Sequence, residues 1–183
     1  MEDLYMVAIL PPAGLRERID EIRKEVSLEH SVYSALKPPV HITLAPPFKL
    51  KPVLEQQLVQ KLKSVCHFEP FVQRLEDFDG FPEHTVFIKV LKNTGISTLY
   101  KNLKAALKPY AEGSKNPFYP HLTIAYRDAK EAYPQIMEAY QNRRLREEFL
   151  TDHFTLLKHD GKHWNIHSEY YAQPSNQQLE MLL

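Results

Sequence analysis

The sequence predicts an α+β fold, or mixed α/β, in one domain that contains two similar halves. Three observations carry this. Short apolar runs bounded by proline alternate with longer stretches in which apolar residues recur every three or four positions. Strand-like runs pair near the C-terminus around Asp160-Gly161. One strand pattern also returns far along the chain: Val40-His41-Ile42-Thr43-Leu44-Ala45 is echoed by Pro120-His121-Leu122-Thr123-Ile124-Ala125, with the histidines 80 positions apart.

Taken in order, Leu4 to Leu10 reads as a buried strand closed by Pro11-Pro12. Leu15, Ile19, Ile22 and Val26 mark one face of a helix. Pro38-Pro39 precedes a second strand, Val40 to Ala45, which Pro46-Pro47 is expected to end. Leu54, Leu58, Leu62 and Val65 share a helix face. Phe68 to Phe78 is extended. Val86, Ile88 and Val90 alternate with Phe87, Lys89 and Leu91 in a further strand. Ile96, Leu99, Leu103 and Leu107 mark a third helix, and Tyr119 to Tyr126 another strand. Tyr133, Met137 and Tyr140 suggest a fourth helix that Pro134 starts or kinks. The basic run Arg143, Arg144 and Arg146, followed at once by Glu147 and Glu148, reads as a solvated helix end. Phe154 to Leu157 and His163 to Tyr171 form the closing strand pair.

Composition bounds the function. With 183 residues and 43% of them hydrophobic, the chain can bury a sizeable core. Its 23 Lys+Arg balance 23 Asp+Glu, so it lacks the basic surplus with which proteins grip long nucleic acid. A small ligand, or only the end of an RNA, fits better than a long duplex. A single cysteine, Cys66, excludes an internal disulfide. Met1-Glu2-Asp3 opens no signal peptide, and no run approaches the length of a membrane span. A cytoplasmic monomer without membrane contact is expected.

Residues i and i+2 on a strand point to one face. His41 and Thr43 therefore share a face, with Ile42 and Leu44 turned into the core, and the same holds for His121 and Thr123 with Leu122 and Ile124. Should the halves be related by a pseudo-twofold, both faces converge on one groove. Phosphodiester cleavage needs a base on the attacking oxygen and an acid on the leaving oxygen, on opposite sides of phosphorus. Two imidazoles can fill those roles, and threonine hydroxyls can donate to the non-bridging oxygens. The scheme needs no metal or cofactor. Chance placement of nine histidines and seven threonines gives about 0.3 His-x-Thr matches. The sequence holds three, but His153-Phe154-Thr155 lacks the shared apolar frame and reads as a strand with Phe154 inward.

The two segments Pro38-Pro39-Val40-His41-Ile42-Thr43-Leu44-Ala45-Pro46-Pro47-Phe48 and Tyr119-Pro120-His121-Leu122-Thr123-Ile124 resemble the paired motifs of the 2H phosphoesterase superfamily, which includes 2′-5′ RNA ligase-like proteins and cyclic phosphodiesterases. The resemblance implies a bilobal fold over residues 1–183, with two intertwined pseudo-symmetric lobes, antiparallel or mixed sheets lining a central groove, and helices outside. It implies His41, Thr43, His121 and Thr123 as the catalytic set. It also implies metal-independent action on a phosphodiester, such as a 2′,3′-cyclic phosphate or a 2′-5′ linkage of a nucleotide or RNA end. The alternative is a module that holds the same ligand without turnover. Phe48 and Tyr119 flank the motifs and could stack on a base. Tyr33 could line a rim. Lys115 and Lys162, in loop segments, could screen a phosphate.

Overall fold

The computed structural model describes residues 2–112 and 116–173. In chain order the elements are β1 (Asp3–Ile9), α1 (Ala13–His30), β2 (Ile42–Leu50), α2 (Glu55–Lys63), β3 (Phe71–Phe81), β4 (Thr85–Val90), α3 (Thr94–Leu107), β5 (His121–Tyr126), α4 (Tyr133–Tyr140), β6 (Arg146–Thr151), β7 (His153–His159) and β8 (Trp164–Tyr171). Short 3-10 turns at Ser34–Leu36 and Pro52–Leu54 precede β2 and α2. The strands make two antiparallel sheets, in the orders β2-β1-β7-β8 and β5-β4-β3-β6.

The chain is therefore α+β with two lobes. The first sheet takes its strands from both ends of the chain and the second from the middle. Helices cross between them: α1 packs on β5 of the second sheet, and α3 on β2 of the first. One continuous core results, in which Ile9, Ile42 and Leu44 of one sheet join Ile88, Leu122 and Ile124 of the other through Ile19, Leu62 and Leu103 of the helices. Burial of these side chains removes about 2 kcal/mol each of apolar exposure from water and fixes how the lobes sit.

Two expectations are corrected. Pro46-Pro47 does not end β2, which runs on to Leu50. The pairs Tyr5↔Phe48 and Val7↔Ala45 leave the two prolines opposite Met6 alone, in a bulge. β2 is also an edge strand, so the missing N–H groups cost no ladder bond there. The basic run is not a helix end: Arg146 to Thr151 is the edge strand β6, paired with β3. Its charges sit opposite complementary ones, with Arg74 against Glu148 at 3.3 Å and Arg146 against Glu76 at 4.0 Å. Such cross-strand pairing suits a solvent-facing edge, and the charges blunt it against further pairing. Asp77 anchors the entry to this strand. It adopts a left-handed backbone (φ 56°) and accepts from Leu145 N–H at 3.0 Å and Arg144 at 2.7 Å. Pro134 lies in the first turn of α4 and starts the helix, where its lost donor is unneeded. No helix among the described residues is long and apolar enough to cross a membrane.

Candidate active site

β2 and β5 are the edges of their sheets, and those edges contact one another. His41 stands one residue ahead of β2 and His121 opens β5. The alternation works as the pattern requires: Ile42, Leu44, Leu122 and Ile124 are buried, while His41, Thr43, His121 and Thr123 are half-buried on the other face. Both strands carry a bulge at the same motif position. Val7↔Ala45 is followed by Ala8↔Thr43, and Val86↔Ala125 by Phe87↔Thr123, so Leu44 and Ile124 are the skipped residues. A bulge re-aims the neighbouring side chain, and here it does so identically in both halves.

The histidines are held alike as well. His41 Nδ1 lies 2.7 Å from the carbonyl of Pro39, and His121 Nδ1 lies 2.8 Å from the carbonyl of Tyr119, two residues back in each case. A carbonyl only accepts, so Nδ1 carries the hydrogen in both rings. Nε2 is then the lone-pair nitrogen of the neutral imidazole, free for proton transfer.

Their electrostatics differ. Desolvation pushes His41 down to about 4, partly opposed by the Pro39 hydrogen bond and reinforced by the charges of Arg23 and His121. His121 is also lowered by desolvation, against the pull of the Tyr119 carbonyl. Its surroundings explain why: Phe81 meets the ring edge-on at 5.2 Å and Phe87 lies 5.1 Å away.

A cavity of about 560 Å³ opens beside the motifs, reaching Thr43 and His121. Its walls are largely aromatic, with Phe81, Tyr100, Phe118 and Tyr119 among them. Tyr100 and Phe118 stack at 3.9 Å with planes 7° apart, and Phe81 meets Tyr119 at 5.6 Å. Tyr119 is 52% exposed and faces this space.

Phe48 does not. It is buried, and its ring stacks on Tyr5 at 6.1 Å, so the expectation that it meets substrate is corrected. In the register of β1 and β2, Phe48 lies opposite Tyr5 on the core side, whereas Thr43 lies opposite Ala8. Tyr33 is exposed but does not line the cavity; its backbone N–H donates to Asp128 at 2.8 Å. Lys162 sits in the β7–β8 turn, where its N–H donates to Asp160, and Lys115 lies outside the described residues. The third His-x-Thr match is apart from the site. Thr155 is buried in β7, and His153 pairs with Asp152 at 2.6 Å and stacks on Tyr171.

Sequence reasoning missed Phe81, Phe118 and Arg23. Arg23 is 1% exposed, on α1 beside Ile19 and Val26. Its signal was available: position 23 falls four residues after Ile19, on the apolar stripe that begins at Leu15. Ile22, read as part of that stripe, is only half-buried.

The edge-to-edge motif strands, their matched bulges and the aromatic cavity set a class, a two-lobed α+β protein with a duplicated His-x-Thr motif. A family model described as the 2′-5′ RNA ligase superfamily matches residues 11–163, and the chain belongs to that superfamily. A Bacillus pumilus protein named "Putative phosphoesterase" is 25% identical over 170 residues, covering 91% of this chain and 95% of that one. Among solved structures, Escherichia coli LigT complexed with 3′-AMP superposes with a TM-score of 0.72 at 20% identity, covering 94% of this chain and 99% of LigT. TT0787 of Thermus thermophilus gives 0.66 at 22% identity, covering 96% and 100%.

Proposed function

We propose that the protein opens a phosphodiester of a nucleotide or RNA end, a 2′,3′-cyclic phosphate or a 2′-5′ linkage, by acid–base catalysis between His41 and His121. The observation that carries this is the duplicated tether: each Nδ1–H is committed to a backbone carbonyl, which leaves each Nε2 for the substrate. Water adds to phosphorus as a ribose oxygen departs. One neutral imidazole takes the proton from water through Nε2. The other, protonated, gives a proton to the leaving oxygen. The rings thus exchange protonation states, and a phosphomonoester with a free neighbouring hydroxyl is released. Thr43 and Thr123 donate to the non-bridging oxygens, whose charge grows in the transition state.

The low proton affinity of both rings suits this chemistry. In a desolvated cleft two imidazolium ions are disfavoured, and a phosphate anion restores enough affinity for one proton. The base stacks in the aromatic cavity on Tyr119 and its neighbours. LigT structures with 3′-AMP, ATP and NADP+ support a nucleotide as the ligand class.

The test is 2′,3′-cyclic AMP followed by phosphorus NMR. The native protein is expected to turn it over with and without EDTA. His41→Ala and His121→Ala each lose about 10²–10⁴-fold in kcat while remaining folded. Full activity in either variant refutes the scheme, and binding without product in the native protein leaves the groove a ligand-holding module.

A further inference from the structure

Building on that reading, we infer that Arg23 is a positioning residue for His41: its buried guanidinium clamps the proline turn whose next carbonyl fixes the orientation of the imidazole. Arg23 lies on α1, far from β2 in sequence, and is 1% exposed. Its Nη2 donates to the carbonyl of Ala35 and, at 2.7 Å, to that of Pro38. The next carbonyl, of Pro39, accepts from His41 Nδ1 at 2.7 Å. Leu36 and Lys37 N–H close the short turn ahead of the prolines onto Tyr33 and Ser34, but Pro38 and Pro39 have no N–H with which to continue it. Its carbonyls are the handles that remain, and one guanidinium takes the two on either side of the bend.

The second half has a counterpart. Lys92 donates from Nζ to the carbonyl of Phe118 at 3.3 Å, and the next carbonyl, of Tyr119, accepts from His121 Nδ1 at 2.8 Å. In each half a cation holds the carbonyl three residues before the histidine, and the histidine holds the carbonyl two before itself. A purely structural arginine has no reason to recur as a cation at this register in the other half.

Burying a guanidinium costs several kcal/mol unless it is well bonded, and this one leaves Nε without a partner among the described residues. Of those residues only Asp20 approaches with opposite charge, its carboxylate 3.7 Å from Nη1 and 36% exposed. A leucine or methionine would fill the same stripe on α1 more cheaply. The retained charge also acts on the ring, since Arg23 helps hold His41 below the ordinary imidazole range. The other charged groups around this segment include His121 on β5, Lys89 opposite His121 on β4, Arg16 and Glu17 of α1 and Lys37, which share a hollow with the two prolines, and Asp128, which accepts from Tyr33 and Ser34.

The test compares Arg23→Met and Arg23→Lys with the native protein, reading kcat and KM on 2′,3′-cyclic AMP and the titration and tautomer of His41 by nitrogen-labelled NMR. Arg23→Met is expected to lower kcat at least about tenfold with KM within about twofold, to raise the His41 titration towards 6.5, and to mix the His41 tautomers. Arg23→Lys keeps the charge but not the two-carbonyl fork, so the titration stays near native while kcat falls by less. An unchanged His41 titration and tautomer in Arg23→Met overturns the inference. So does Arg23→Lys with either native kcat or a shifted titration, and that variant decides the matter alone if Arg23→Met does not fold. The NMR readout needs no turnover, so inactivity of the native protein on the cyclic nucleotide would count against the proposed function and not against the clamp.

Discussion

Placing an imidazole where it resists protonation must weaken the fold in acid. His41 is half-buried and pushed down to about 4 from an ordinary 6.5. For this depressed histidine, the unfolded chain takes up a proton first as pH falls. Its contribution to stability is complete above the unfolded value and is lost progressively between about 6.5 and about 4. At about pH 5 the unfolded state holds the proton almost fully and the folded state scarcely, which costs about 2 kcal/mol relative to neutrality. His41→Asn removes the titration and retains a side-chain donor for the Pro39 carbonyl. Urea unfolding of both proteins at about pH 7 and about pH 5 measures the difference. The native protein should lose about 2 kcal/mol more than His41→Asn over that interval. Glu55 and Asp160, both held at about 2 by their hydrogen bonds, titrate lower, and His121, also lowered by desolvation, is present in both proteins, so the comparison isolates His41. Equal losses would show that His41 titrates as an ordinary histidine, and the argument for a desolvated base or acid at that position would fail.

Two further outcomes separate the cavity from the core. Tyr119→Ala should raise KM for a cyclic nucleotide by about 5- to 100-fold, the worth of one base–aromatic stack, with kcat changed far less, as steady-state kinetics would show. Phe48→Ala should destabilise the fold by about 3–5 kcal/mol in urea denaturation while KM of the folded protein stays native; a selective KM effect would return Phe48 to the ligand site.

Much of this architecture was legible because its signals are local. The alternation Ile42/Leu44 against His41/Thr43 states which face is buried, and a strand has only two faces. Tyr119 was legible for the same reason, standing two residues before a histidine whose direction was known. Phe48 was misread because Pro46-Pro47 reads as the end of the strand, which leaves its side chain without an assigned face. The bulge lets the strand continue, and Phe48 returns to the core side opposite Tyr5. β6 hid because an edge strand with one solvent face can be almost wholly charged. Only Phe149 and Thr151 of its six residues are buried, and its partners on β3 are seventy to eighty positions away. Arg23 hid because charge on a helix is read as exposure, and what neutralises that expectation is a pair of carbonyls on another segment.

The two halves are near copies in geometry and unlike in charge. Bulge, tether and edge position repeat, which sets each imidazole at a sheet edge with the same nitrogen free, on two edges that touch. Acid–base catalysis needs more than two equivalent rings, because one must hold the proton that the other lacks. What stands behind each ring differs: a guanidinium sealed in the core behind His41, bonded to two carbonyls, and an exposed ammonium bonded to the Phe118 carbonyl behind His121. Repetition of the fold sets both tethers; desolvation lowers both rings, and the charges of Arg23 and His121 add to that lowering at His41.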